Sequence, residues 1–130
     1  MNNPTTEYVP GVCNINTSEV RKRRNIGYAG LTVLLVLLVP FVVFDFPVFV
    51  WLVTFIPAFL MTTGFLQAKS KFCVGYAAAE MKHTGEQAEK IADTKAVALD
   101  KQRAKKINLQ ALSIALLITV LYGAVGLLTN

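Results

Sequence analysis

Chemistry-bearing side chains are scarce in this chain. It has two cysteines, Cys13 and Cys73, and a single histidine, His83. Cysteines this few and this far apart form neither a CxxC pair nor a disulfide framework, and in a reducing compartment they stay as thiols. These three are the residue types that zinc or haem would recruit, but no ligand spacing connects them and a fourth ligand is missing. The sequence therefore assigns no metal and no cofactor. A Walker loop, HExxH, GxSxG and GxGxxG are also absent, and one histidine with two distant cysteines sets up no nucleophile–base pair. The chain is not expected to be an enzyme.

Charge is the second shortage. Charged residues make up 16% of the chain, against about 25% in a usual soluble domain. Their absence is concentrated. Across residues 25–68 the only charged side chain is Asp45, and residues 107–130 carry none. A soluble helix would place polar residues on its water-facing side every turn. These blocks do not. Roughly 20 apolar residues cross a bilayer core as a helix, and segments 26–44, 46–68 and 107–130 each meet that length. The expected fold is an all-α membrane protein with three transmembrane helices, a hairpin turning at Asp45 and Pro47 followed by a third span.

The charge that remains has a pattern. All 13 Lys and Arg lie in two segments, Arg21–Arg24 and residues 69–106. Both flank spans on the same predicted side, which is the positive-inside arrangement. It accounts for the net charge of +5 without nucleic acid. It also places the basic amino-terminal segment, residues 1–24, and the polar segment 69–106 in the cytoplasm, with the carboxyl terminus outside a bacterial plasma membrane. Arg21, Lys22, Arg23, Arg24, Lys69, Lys71, Arg103, Lys105 and Lys106 are the expected contacts to anionic headgroups, each contributing about 1 kcal/mol near the surface. No apolar run follows Met1, so no cleaved secretory signal is expected.

Local signals fill in the elements. Residues 1–13 have no apolar period and read as a flexible or surface-laid tail. Asn16 with Glu19 reads as a capping box opening the first helix. Pro40 predicts a kink near the outer end of the first span, and Pro57 interrupts the second. Trp51 reads as an interfacial anchor, and Gln67 as reaching headgroup water. Residues 72–79 are expected to continue the second helix or lie in the interface. Thr84 with Gln87 offers another cap and Glu86 and Lys90 an i,i+4 pair, so a helix is expected from Glu86, either running on as one helix into the third span or meeting a separate one at the membrane surface.

Small residues recur every four positions on two spans: Thr54, Ala58 and Thr62, then Ala111, Ala115, Thr119 and Gly123. Lipid is as apolar as leucine, so such ridges mark helix–helix contact, within the chain or with another copy. They point to an interaction or structural subunit, or an assembly factor, of a membrane complex, with other membrane subunits or itself as partner. The alternative class is an oligomeric transporter or holin-like pore. A second alternative is a redox or metal-binding protein using Cys13, Cys73 and His83.

Residues Gly11-Val12-Cys13-Asn14-Ile15 ahead of Glu19 and Arg21–Arg24, together with Phe65-Leu66-Gln67-Ala68-Lys69 and Phe72-Cys73, resemble small uncharacterised bacterial integral membrane proteins. The resemblance implies a membrane location and no activity.

Overall fold

The computed structural model describes residues 6–129, which are mostly helical. Helix α1 spans Thr17–Val43 and a 3-10 segment spans Val48–Thr54. Helix α2 follows at Phe55–Ser70, a short α3 at Val74–Ala78, strands β1 (Met81–Lys82) and β2 (Glu89–Lys90), and helix α4 at Thr94–Thr129. The two strands pair antiparallel, Met81 opposite Lys90 and Lys82 opposite Glu89. Three helical stretches are long and apolar enough to cross a membrane: Thr17–Val43, Val48–Ser70 and Thr94–Thr129.

Helix α1 starts where its cap dictates. The Asn16 side chain accepts a hydrogen bond from the Glu19 amide at 2.9 Å, satisfying one of the free first-turn donors. The reciprocal half of the expected capping box does not form, because the Asn16 amide donates to the His83 carbonyl instead. Helix α1 ends three residues past Pro40, and exposed Asp45 lies in the turn beyond.

Pro57 lies inside the second span, Val48–Ser70, at the third residue of its α-helical part. A proline ring clashes with the carbonyl four residues earlier, which disfavours α-helical winding just before it, although α1 accommodates Pro40 in its last turns. The chain winds there as a seven-residue 3-10 helix, a tighter form that lacks that i−4 contact. At the other end α2 stops at Ser70, with Lys71 in the left-handed region (φ 53°) and the Phe72 amide reaching back to the Gln67 carbonyl. This is a Schellman closure with Phe72 folded onto Leu66. Residues 72–79 therefore leave the helix axis rather than continuing it.

Helices α1 and α2 cross with their backbones in contact. A Cβ added to Gly30 would lie 2.5 Å from the Met61 amide nitrogen, and one on Gly64 would lie 2.5 Å from the Gly27 nitrogen. Close approach of this kind is what small residues permit between apolar helices. Helix α4 packs along the other side of α2, where Leu34, Ala58 and Ala115 share one buried cluster and Phe72, Ala77, Ala104 and Ile107 another. Trp51 is not an exposed anchor. It is 1% exposed, wedged against Gly126, with Phe41 tilted against it and Tyr122 edge-on.

Helix α4 begins at Thr94, eight residues later than the sequence implies. Glu89 and Lys90 are in β2, so neither the Thr84–Gln87 cap nor the Glu86–Lys90 helical pair exists. The segment folds back because Glu80, itself left-handed (φ 60°), turns the chain and accepts the Ile91 amide. At 36 residues, α4 is about 54 Å long.

The stretch expected to be a loose tail is folded from residue 6 onward; residues 1–5 lie outside the described residues, as does Asn130. Ile15 is fully buried and bridges His83 in parallel register. The Asn14 carboxamide donates to the Cys73 carbonyl at 3.1 Å and accepts the Cys73 amide at 2.7 Å. A side-chain amide can satisfy one backbone unit in both senses, and here it joins segments far apart in sequence.

Candidate functional site

The polar end of the molecule gathers the titratable groups. Glu19 leads α1 inward and is 3% exposed. Its carboxylate holds Lys22 at 2.7 Å, Arg23 at 3.4 Å and the His83 ring at 3.5 Å. Arg23 in turn donates to the Cys73 sulfur at 3.1 Å and lies over the Tyr76 ring, 5.9 Å from its centroid. The Tyr76 hydroxyl and His83 Nδ1 are 3.2 Å apart, and His83 Nε2 lies 3.3 Å from the Glu86 carbonyl. Helical spacing brings Glu19, Lys22 and Arg23 together. The fold-back of β1 and the kink after α2 deliver His83, Cys73 and Tyr76.

Electrostatics fix the charge state of this cluster. Burial pushes Glu19 up, but the Lys22 hydrogen bond and the charges of Lys22, Arg23 and His83 outweigh it and hold the carboxyl below the usual glutamate range. Burial works against the Arg23 charge, yet the Cys73 contact and the Glu19 charge raise its affinity for the proton. Burial raises the Tyr76 phenol, with Glu19 and Cys73 adding to it. Glu19 is thus a buried anion neutralised by two cations, the arrangement a buried charge needs.

A second buried carboxylate sits on α4. Asp100 is fully buried and accepts the Tyr8 hydroxyl and the Gly11 amide, each at 2.7 Å. Burial and the Asp100 contact push the Tyr8 phenol well above its ordinary value. Gly11 has φ 71° and touches Leu99, so the turn that brings its amide to Asp100 uses a conformation that favours glycine. Neither role had a motif in the sequence. The only signals were an acid among apolar neighbours (Asp100) and a lone tyrosine in a polar stretch (Tyr8).

Of the three soft residues, Cys73 and His83 join the Glu19 cluster. Cys13 stays apart, its thiol donating to the Ile15 carbonyl at 3.5 Å. Both cysteines are buried free thiols. Among the described residues, no three His, Cys, Asp or Glu side chains converge as a metal-binding set, and Cys73 faces an arginine rather than a base. The cluster has the chemistry of a locked joint.

The basic residues divide. Lys22 and Arg23 are taken up by Glu19. Arg21, Arg24, Lys69, Lys71, Lys105 and Lys106 are exposed and form no ion pair among the described residues. Arg103 is half-buried and donates weakly to the Ser70 hydroxyl at 3.5 Å.

The small-residue ridges lie inside. Thr54, Ala58, Thr62, Ala111, Ala115 and Thr119 are all buried. Thr54 bonds the Trp51 carbonyl, Thr62 that of Ala58, and Thr119 that of Ala115. Gly123 departs from the pattern, with open space where a Cβ would sit, while Gly126 takes the buried place. A four-residue step drifts about 40° around a helix and a seven-residue step about 20° the other way, so the face that holds Thr119 returns at Gly126. Gln67, expected to reach outward, is buried and accepts the Val74 amide.

No family model matches the chain, and neither a curated protein nor a solved structure is found to be similar to it.

Proposed function

We propose that this chain is a small integral membrane protein acting as an interaction or structural subunit, or assembly factor, of a membrane complex. Its polar cap and basic residues would face the cytoplasm. The observation that carries the reading is how the two halves are built. The three long apolar helices consume their own small-residue faces and turn the hydroxyls of Thr54, Thr62 and Thr119 onto their own backbones. Their outward faces are aliphatic, as at Leu35, Val36, Val39, Leu116, Leu117 and Val120. Such a surface matches lipid. Above it sits a cap held by buried Asn14, Asn16, Glu19 and Asp100, rigid enough to present a fixed surface at the bilayer.

Enclosure of the ridges within the chain removes one argument for self-association. It leaves the cap as the part that meets a partner. The pore alternative draws no support from the apolar stretches 26–44, 46–68 and 107–129, which carry no charged side chain and where exposed Thr32 and Ser113 bond their own helix carbonyls. The redox or metal alternative has no ligand set among the described residues.

Native mass spectrometry on protein taken from its own membranes in mild detergent tests the proposal. Foreign subunits travelling with the chain are the expected result. Integer multiples of 14.3 kDa alone would turn the reading toward self-assembly, and a partnerless monomer would overturn it.

A further inference from the structure

We propose that the cleft between the carboxyl end of α2 and the facing part of α4 holds one anionic glycerophospholipid, rather than merely lying near headgroups. The cleft is about 400 Å³ and is lined by Leu66, Lys69, Ser70, Arg103, Gln110 and Ile114. α2 and α4 run antiparallel, since Ala58 meets Ala115 while Leu66 and Phe72 meet Ala104 and Ile107. Their linings therefore follow the same order along the bundle. Arg103, Ser70 and Lys69 form the polar end, Leu66 follows at the level of Ile107, and Gln110 and then Ile114 line the cleft farther along α4. From Arg103 to Ile114 the cleft runs about 16 Å along α4, enough for a phosphate at the cationic end and the start of an acyl chain at Ile114.

Arg103 marks the phosphate end. Its Nε is shut off from solvent and has no hydrogen-bond partner among the described residues, and the guanidinium's one side-chain hydrogen bond among them is the long one to Ser70. A guanidinium left without a carboxylate is costly to bury, and its planar fork suits two phosphate oxygens at once. Lys69 is exposed at the rim with no ion pair among the described residues. No carboxylate lines the cleft. The end of α2 would repel an anion through its last carbonyls, but the Lys71 and Phe72 amides already cap those of Gln67 and Ala68.

This inference rests on the membrane reading, and the test separates the two. The purified full chain in an uncharged detergent is titrated with phosphatidylglycerol, phosphatidylcholine or inorganic phosphate and read by native mass spectrometry. One retained phosphatidylglycerol is expected, weakened about tenfold in Arg103→Gln and about threefold in Lys69→Gln, while Arg21→Gln changes it less than about twofold. Lys69 is exposed, so its variant tests the site even if Arg103→Gln fails to fold. Unchanged retention in both variants would overturn the site. Equal loss in Arg21→Gln would reduce it to diffuse surface charge, and displacement by inorganic phosphate or equal retention of phosphatidylcholine would overturn the anionic lipid as occupant. Alkaline carbonate extraction of native membranes is run beside it. Release of the chain there fails the membrane reading, whereas a retained chain with unaltered lipid binding fails the site alone.

Discussion

Gly27, Gly30 and Gly64 let α1 and α2 touch backbone to backbone. At Gly30 and Gly64 the atoms in the way of a Cβ are main-chain atoms, which cannot rotate aside as a side chain can. Gly30→Ala and Gly64→Ala are each expected to lower stability by about 1–3 kcal/mol, the usual range for overpacking. Gly123→Ala, where nothing lies within 4 Å, should be neutral or stabilise by up to about 1 kcal/mol through helix propensity. Melting in detergent, followed by loss of the monodisperse peak, checks all three. Equal behaviour of the three variants would mean that the crossing is not this tight.

Glu19 supplies a pH dependence whose sign follows from its environment. Its folded pKa lies below the ordinary value because Lys22, Arg23 and His83 outweigh its burial. A depressed carboxyl contributes stability that is complete above its unfolded pKa of about 4.3 and is lost as pH falls through the folded value. The chain should thus melt more easily as pH drops below about 4. Glu19→Gln should be less stable than the parent near neutral pH, with the difference narrowing toward acid. A gap that stays constant with pH would assign the role of Glu19 to packing alone.

Among the elements, the amino-terminal segment depends on α4 through one carboxylate. Asp100→Ala removes the acceptor of both the Gly11 amide and the Tyr8 hydroxyl, and an orphaned buried donor costs about 1–3 kcal/mol. That loss is local, since α1, α2 and the lower part of α4 make none of these bonds. Limited proteolysis should cut between residues 6 and 13 faster in Asp100→Ala, with the helical core left intact. Unaltered cleavage would show that the segment is held by Ile15 and Asn14 instead. This joint also marks how far the sequence could be read. The apolar blocks, the Asn16 cap and the small-residue faces follow from local rules of length and spacing, and each has its counterpart in α1, α2 and α4. What closes the cap does not. Asn14 with Cys73, Ile15 with His83 and Asp100 with Gly11 join residues remote in sequence, so no window of neighbours contains them. The helix expected from Glu86 failed for a related reason. Residues 86–92 are good helix formers, but their backbone is used by β1 and by Glu80, and tertiary pairing overrides a weak propensity.

At the scale of the whole molecule, charge divides the two ends of the bundle. The two basic segments lie on the cap end, and Asp45 lies at the far end of the α1–α2 hairpin. If the positive-inside rule governs insertion, the cap faces the cytoplasm and the Asp45 turn faces out. The native thiols are buried, so they give little background with a membrane-impermeant maleimide. Asp45→Cys, at an exposed turn position, should be labelled in intact cells. Glu89→Cys, exposed on the cap, should be labelled only after the membrane is opened. Replacing Arg21 and Arg24, which form no ion pair among the described residues, by glutamine weakens the amino-terminal signal and leaves the nine cations of residues 69–106 to direct the fold. Since those cations flank both α2 and α4, the expected orientation persists in the double variant. Labelling of Glu89→Cys from outside would mean that the charge pattern does not set the topology, and the proposed cytoplasmic partner surface would have to move with it.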